Sequence, residues 1–196
     1  MKQSISIALL LLFATCAISQ QKFDILWFST PAGWETQNTS SQLTLFKKAA
    51  AAAAPAQILV YPSMPAGKNS DADFNAQWRK YVKSMYRGVA DSFTIDVQND
   101  GDWTYYTTYS YSIINKTEVV IAFTCLRSKN SMFSIVNIIP DESSLAEVNT
   151  FLGGIEIEER AAVDTSNKKG IRRKKVSMKR KAPKFRPGKG LRDAIN

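Results

Sequence analysis

Residues 92–139 contain four runs in which apolar and polar side chains alternate, "SFTIDVQ", "DWTYYTTYSYSII", "TEVVIAFTCL" and "MFSIVNII", each separated from the next by a short polar turn. Period-two alternation is the signature of a β-strand, and short connections between such runs force antiparallel pairing. Asn99-Asp100-Gly101 separates the first two runs, and an Asp-Gly pair there predicts a type I′ hairpin, because that turn needs φ > 0 at both central residues. "RSKNS" joins the last two runs, and Pro140 ends the series. A four-strand meander is therefore the framework on which the rest must pack.

Alternation assigns the faces. On the second run Trp103, Tyr105, Thr107, Tyr109 and Tyr111 share one side, while Thr104, Thr108, Ser110 and Ser112 share the other with Tyr106. A face of hydroxyls opposite one of aromatics predicts a sheet that is solvated, at least in part, on the hydroxyl side. On the third run Val119, Ile121, Phe123 and Cys125 align, which predicts a buried, inert thiol.

Ahead of the meander, "KFDILWF" alternates Phe23, Ile25 and Trp27, and "STPAGW" turns the chain at Pro31 and Gly33. "QLTLF" and "AQILVYP" give two more strands, separated by the alanines 49–54, which are too short a run for an isolated helix and are expected to form a loop. A helix follows, with Ser70 or Asp71 as N-cap, Asp73 in the first turn and Gly88 at C′. Its apolar stripe is Phe74, Trp78, Tyr81, Val82 and Met85, and its polar face is Gln77, Arg79, Lys80, Lys83 and Arg87. A second helix begins between Asp141 and Ser144, where Ser144 and Glu147 have capping-box spacing; Leu145, Val148 and Leu152 form its buried line and Gly153-Gly154 stop it. "IEIEE" is expected to be a last edge strand whose glutamates discourage aggregation. The elements sum to one α+β domain over residues 22–160, an antiparallel sheet of about six or seven strands with two main helices packed on it.

Both ends differ from this body. Lys2 precedes the apolar run "ISIALLLLFATCAI", and Ala17-Ile18-Ser19 has the small residues that signal peptidase prefers, so residues 1–19 are expected to be an export signal removed before Gln20. Cys16 is not expected to carry lipid, because Phe13 and Thr15 stand where the lipoprotein pattern has Leu and Gly or Ala. Once the signal is cleaved, Cys125 is the only cysteine, which excludes an intramolecular disulfide. The other end is cationic: 13 of the chain's 26 Lys and Arg residues lie between Lys168 and Asn196 against one acid, Asp193, a net +12 in a protein of net +9. Residues 161–196 are expected to be a disordered basic tail. Its candidate anion-binding residues are Lys168, Lys169, Arg172, Arg173, Lys174, Lys175, Lys179, Arg180, Lys181, Lys184, Arg186, Lys189 and Arg192. Cations at this density neutralise several phosphates or sulfates with steep salt dependence and little sequence discrimination. Behind an export signal the accessible polyanions are anionic envelope lipid, acidic glycan and extracellular nucleic acid. Equally, the tail could simply solubilise the chain.

The order of landmarks in the body, "FSTPAGW", "ADFNAQWRKYV", "NDGDW" and "EVNTFLGGIEI", resembles the PsbP-like fold superfamily. That superfamily includes an extrinsic subunit of the photosynthetic oxygen-evolving complex, a Ran-binding nuclear import factor and many exported bacterial proteins. The match rests on Pro31, Gly33, Trp34, Phe74, Trp78, Gly101, Trp103, Phe151 and Leu152. It implies a sheet with packed helices used as an accessory or binding module. Some members bind metal through His and carboxylates, and this chain has no His.

The missing histidine also removes Ser-His and Cys-His nucleophile pairs and the H-E-x-x-H zinc site. No phosphate-binding glycine loop or dinucleotide fingerprint is present. Carboxylates remain as candidate acids and bases, with Asp100 and Asp102 beside a turn and Glu156, Glu158 and Glu159 on one segment, but turn and strand roles account for them. The expectation is a secreted, non-catalytic binding or accessory domain without metal or cofactor. Its rivals are an envelope hydrolase using carboxylates and a protein-interaction module whose tail is incidental. Asn38-Thr39-Ser40 and Asn115-Lys116-Thr117 match the N-glycosylation acceptor pattern, which has meaning only in a eukaryotic secretory pathway.

Overall fold

The structure, a computed structural model, describes residues 20–49, 53–90, 94–158 and 175–177. Its elements in chain order are strands β1 (Gln21–Phe23), β2 (Leu26–Phe28), β3 (Glu35–Asn38), β4 (Leu43–Lys47), β5 (Ala56–Val60) and β6 (Met64–Pro65), then helix α1 (Ser70–Trp78), which continues as a π-helical turn over Arg79–Lys83. After it come β7 (Asp96–Asp100), β8 (Trp103–Ile114), β9 (Thr117–Arg127), β10 (Ser131–Ile139), helix α2 (Glu142–Gly154), β11 (Glu156–Glu158) and β12 (Lys175–Ser177). The expected export signal lies outside the described residues, as does the expected disordered tail apart from β12.

The meander forms as its alternation dictates. β7 through β10 are sequential antiparallel neighbours, and the sheet continues β10-β5-β4-β3, with β6 also pairing β10. The β7–β8 turn differs from expectation. Asp100 pairs with Trp103, so the central residues are Gly101 and Asp102, and only Gly101 has positive φ (+61). Glycine at the first central position with φ > 0 is the type II′ pattern, not type I′. The type I′ pattern appears one hairpin later, where Asn115 and Lys116 have φ 51 and 64 between β8 and β9.

"KFDILWF" is not one strand. Asp24 takes φ 50 and folds the segment into a hairpin with Phe23 opposite Leu26; its carboxylate Oδ2 accepts the Ser63 N–H at 2.7 Å. Once folded back, β2 pairs with β11, which is therefore not an edge of the main sheet. β11 lies inside a second sheet, ordered β1-β2-β11-β12, and Glu158 accepts from Lys22 and Trp27. This second sheet, together with β3 and β6, raises the strand number above six or seven within the expected α+β class of two helices on antiparallel sheet.

The main sheet is covered on both faces. On one lie Leu43, Leu45, Ile58, Ile135, Leu126 and Trp103, under Val148 and Phe151 of α2 and under Phe28 and Ile157 of the second sheet. On the other lie Ile121, Phe123, Cys125 and Val136, under Phe74, Trp78 and Val82. Phe123 meets Phe74 and Trp78 edge to face at 5.2 and 5.7 Å, a geometry that adds to simple burial.

Coverage on both sides overturns the solvated hydroxyl face. Thr108, Ser110 and Ser112 are buried, because the chain after the π-helical turn crosses them. Ser112 donates to Arg87 O at 2.8 Å, Thr108 donates to Thr94 O at 2.9 Å, and Ser110 Oγ accepts from Ala90 N at 3.2 Å. The hydroxyls satisfy backbone groups of Arg87, Ala90 and Thr94, none of which lies in a helix or strand.

The helices keep their places but not all their expected caps. Asn69, not Ser70 or Asp71, caps α1: its extended backbone (φ −119, ψ 117) lets Oδ1 accept from Asp71 N and Ala72 N at 2.9 and 3.0 Å. Asp73 instead accepts from Gly67 N and Arg127 Nε. In the π-helical turn Ser84 N reaches Arg79 O, five residues back. The extra residue rotates the succeeding backbone by about 100° about the helix axis. Met85, expected in the apolar stripe, consequently faces solvent at 66% exposure, and Gly88 takes its positive φ in a turn beyond the helix, not at C′. Gln77, expected on the polar face, is buried against Met64 and Ser134. In α2 the cap is Asp141, whose Oδ1 accepts Ser144 N at 2.8 Å, so Ser144 sits inside the helix and no Ser144–Glu147 capping box forms. Val148 is buried as expected, with Phe151 fully buried beside partly buried Leu145 and Leu152.

Candidate functional site

Where α2 crosses the main sheet, the covering is incomplete. A cavity of about 380 Å³ remains between the helix and β7–β10, a size typical of small-molecule sites. Its floor follows from the register. Ile58, Asn137, Ala122 and Tyr109 lie side by side across β5, β10, β9 and β8, and the next row on the same face is Ile135, Thr124 and Thr107. Small side chains at Ala122, Thr124 and Thr107 leave a depression between the taller Tyr105 and Tyr109. Leu145, Val148, Asn149 and Leu152 of α2 form the roof, and Gln98, Asn99 and Asp100 of the β7 hairpin line one end.

Two polar groups stand out on this floor. Asn137 has 0% exposure, yet neither Oδ1 nor Nδ2 has a hydrogen-bond partner among the described residues. Tyr105, 9% exposed, carries a buried hydroxyl that is likewise unpartnered among them. A buried amide without partners is costly, about 1–3 kcal/mol per unmade bond, and rare in folded proteins. Burial, reinforced by Asp100 for Tyr105 and by Asp96 for Tyr109, pushes both phenols up to about 12, so both are O–H donors at neutral pH. Thr107 and Thr124 pair hydroxyl to hydroxyl at 3.2 Å. Among the described residues Asp100 is the single acidic one on the lining, and no Lys or Arg lines the cavity.

Cys125 lies on the opposite face, buried, with its thiol pushed up to about 12 chiefly by desolvation, and is inert at neutral pH. Among the described residues no group of three or more Cys, Asp or Glu is placed to hold a metal.

The residues singled out from sequence fall elsewhere. Of the thirteen candidate anion-binding residues, Lys175 lies in β12, paired through its backbone opposite Glu158, and the other twelve lie outside the described residues. The candidate carboxylates are dispersed: Asp100 and Asp102 flank the β7–β8 turn of the main sheet, Glu156 and Glu158 belong to the second sheet, and Glu159 is outside the described residues. Asn137 is visible in the sequence as a lone amide within the apolar run "MFSIVNII". Nothing local says that a helix leaves space above it.

No protein-family model matches the chain, and no curated protein matches it. Among solved structures, the crystal structure of LpqN, involved in cell envelope biogenesis of Mycobacterium tuberculosis, is similar with a TM-score of 0.39 and 11% identity, over 63% of this chain and 75% of LpqN. That likeness is too distant to assign a family. No helix among the described residues is long and apolar enough to cross a membrane.

Proposed function

We propose that this chain is an exported, non-catalytic binding domain that holds a small ligand in the cavity beneath α2 and uses its basic tail to stay near a polyanionic surface. The observation carrying the first half is Asn137, a fully buried amide with both polar atoms unpartnered among the described residues, on the floor of a mostly apolar cavity. Apolar walls with a few convergent polar groups are the usual composition of a ligand site. The apolar leader and the net +12 of residues 168–196 support the second half, and the resemblance to PsbP-like accessory modules agrees with a binding role.

The cavity is tested with Nile red, a neutral dye that brightens in apolar surroundings. Saturable one-to-one binding is expected, weakened at least tenfold by Ala122→Leu, with thermal melting confirming that the variant folds. Binding that is absent, or indifferent to the filled cavity, overturns the reading. The tail is tested by comparing protein from Gln20 onward with a form ending at Asp164 on anionic vesicles, acidic polysaccharide and DNA across a salt series. Steep salt dependence confined to the longer form is expected. Equal binding by the two forms overturns it.

A further inference from the structure

The cavity's chemistry selects among ligands. Asn137 presents one acceptor, Oδ1, and two donor hydrogens on Nδ2, all within a buried environment where unmade bonds are most costly. A ligand group that carries a donor and an acceptor side by side can pair with both atoms at once. Tyr105 supplies a further unpartnered hydroxyl on the same lining. Ionised ligands are disfavoured: an anion would meet no Lys or Arg on the described lining and would face Asp100 with its lost hydration uncompensated, and an ammonium head carries donors only and would leave the Nδ2 hydrogens of Asn137 without an acceptor.

The apolar surface does not end at the cavity. Tyr111 and Ile113 follow Tyr109 on the same face of β8, at 39% and 72% exposure, and are two of the few large apolar side chains exposed among the described residues. Val120 and Ile139 lie beside Tyr111 across β9 and β10. From Tyr109 to Ile113 the strand advances about 13 Å, enough for a hydrocarbon chain to leave the cavity along an apolar track.

Resting on the cavity reading above, we infer that the ligand is a neutral single-chain amphiphile whose amide-type head, donor and acceptor together, pairs with Asn137, and whose hydrocarbon runs past Val120 and Ile139 toward Tyr111 and Ile113.

The experiment displaces Nile red from the protein beginning at Gln20 with three probes of equal chain length: dodecanamide, dodecanol and dodecanoate. Dodecanamide is expected to displace the dye at about tenfold lower concentration than dodecanol, with dodecanoate weakest, a step of about 1.4 kcal/mol for each tenfold. Asn137→Leu should abolish the preference for the amide while keeping dodecanol binding, without lowering Tm, because it replaces unpartnered polar atoms with apolar ones. Tyr105→Phe should reduce amide binding by a smaller factor. If dodecanoate binds best, or the three probes are equivalent, the head-group assignment is wrong while the cavity still binds. If Asn137→Leu keeps the amide preference, the assignment to Asn137 is wrong. If neither the dye nor any probe binds, the amide is met by water alone, and both this inference and the reading beneath it fail. Should the Asn137 variant not fold, the wild-type ranking still decides the head-group class.

Discussion

Trp34 Nε1 donates to Glu147 Oε2 at 2.9 Å, while the other carboxylate oxygen of Glu147 accepts from Lys47 Nζ at 2.8 Å. One side chain of α2 thus ties the helix to β4 and to the turn at Gly33, where Trp34 N bonds Pro31 O and Gly33 takes φ +78. Glu147 is one residue from Val148 in the cavity roof, so the tie also sets the height of that roof. Glu147→Ala should cost about 1–3 kcal/mol in urea denaturation, because the buried Trp34 indole is left without an acceptor. Glu147→Gln keeps an acceptor and loses only a partly exposed ion pair, at about 1 kcal/mol or less.

The same carboxylate predicts the acid limb of stability. The hydrogen bond from Lys47 first, and that from Trp34 after it, hold Glu147 below its ordinary value, and the Ser144 N–H does the same for Asp141. A carboxylate depressed in the folded state contributes stability that is present above its unfolded value and is lost as pH falls through the folded one. Denaturation midpoints should therefore drop as pH is lowered below about 4, and more shallowly in Glu147→Gln. An unchanged acid limb in that variant would remove Glu147 from the explanation.

Ser110 and Ser112 bond the backbone that crosses them, at Ala90 N and Arg87 O. Either residue changed to Ala should cost about 1 kcal/mol, and limited proteolysis at Arg87–Ala90 should accelerate. Destabilisation without faster cleavage there would show that the hydroxyls act by some other route.

Asn69 caps two amides of α1, whereas its neighbour Ser70 contributes no side-chain cap. Asn69→Ala should cost about 1 kcal/mol and Ser70→Ala about 0.5 kcal/mol or less. Chemical denaturation of the two variants side by side separates the cap from its neighbour.

Burial pushes Tyr86, Tyr105 and Tyr109 each up to about 12, whereas an unfolded tyrosine ionises near 10. A group raised in the folded state contributes stability that is complete below its unfolded value and is lost as pH rises through the folded one. The tyrosinate absorbance that these three residues contribute should therefore appear late and coincide with loss of structure between about 10 and 12. Smooth ionisation of all tyrosines near 10 with the fold intact would refute this.

Legibility in the sequence tracks the range of the interactions. The four strands of the meander, the turn at Gly33 and the buried face of Cys125 are readable because alternation and turn chemistry act over a few residues. Ser110 and Ser112 mislead for the converse reason: alternation tells which residues share a face, and only a segment some twenty residues earlier decides that the face is covered. Asp24 hides a hairpin because an aspartate at φ 50 leaves the apolar pattern of its neighbours unchanged. The π-helical turn at Arg79–Lys83 leaves no mark on the apolar spacing, and Met85, just beyond it, faces solvent. The cavity is least legible, since it depends on Ala122, Asn137 and Thr124 becoming neighbours across adjacent strands and on α2 passing above them without filling the space.

The joining of the body's two ends has a mechanical consequence. β2 near the start and β11 near the finish are paired, Glu158 N bonds Ile25 O at 2.8 Å, and Lys22 reaches Glu158 at 2.6 Å. A pull applied through the tail therefore meets the β12–β11 pairing first and then the β11–β2 pairing, and is carried first by this short sheet. The long ladders of β8, β9 and β10 feel it only after that seam parts. Tension on a tethered copy would separate the ends of the chain before it disturbed the floor of the cavity.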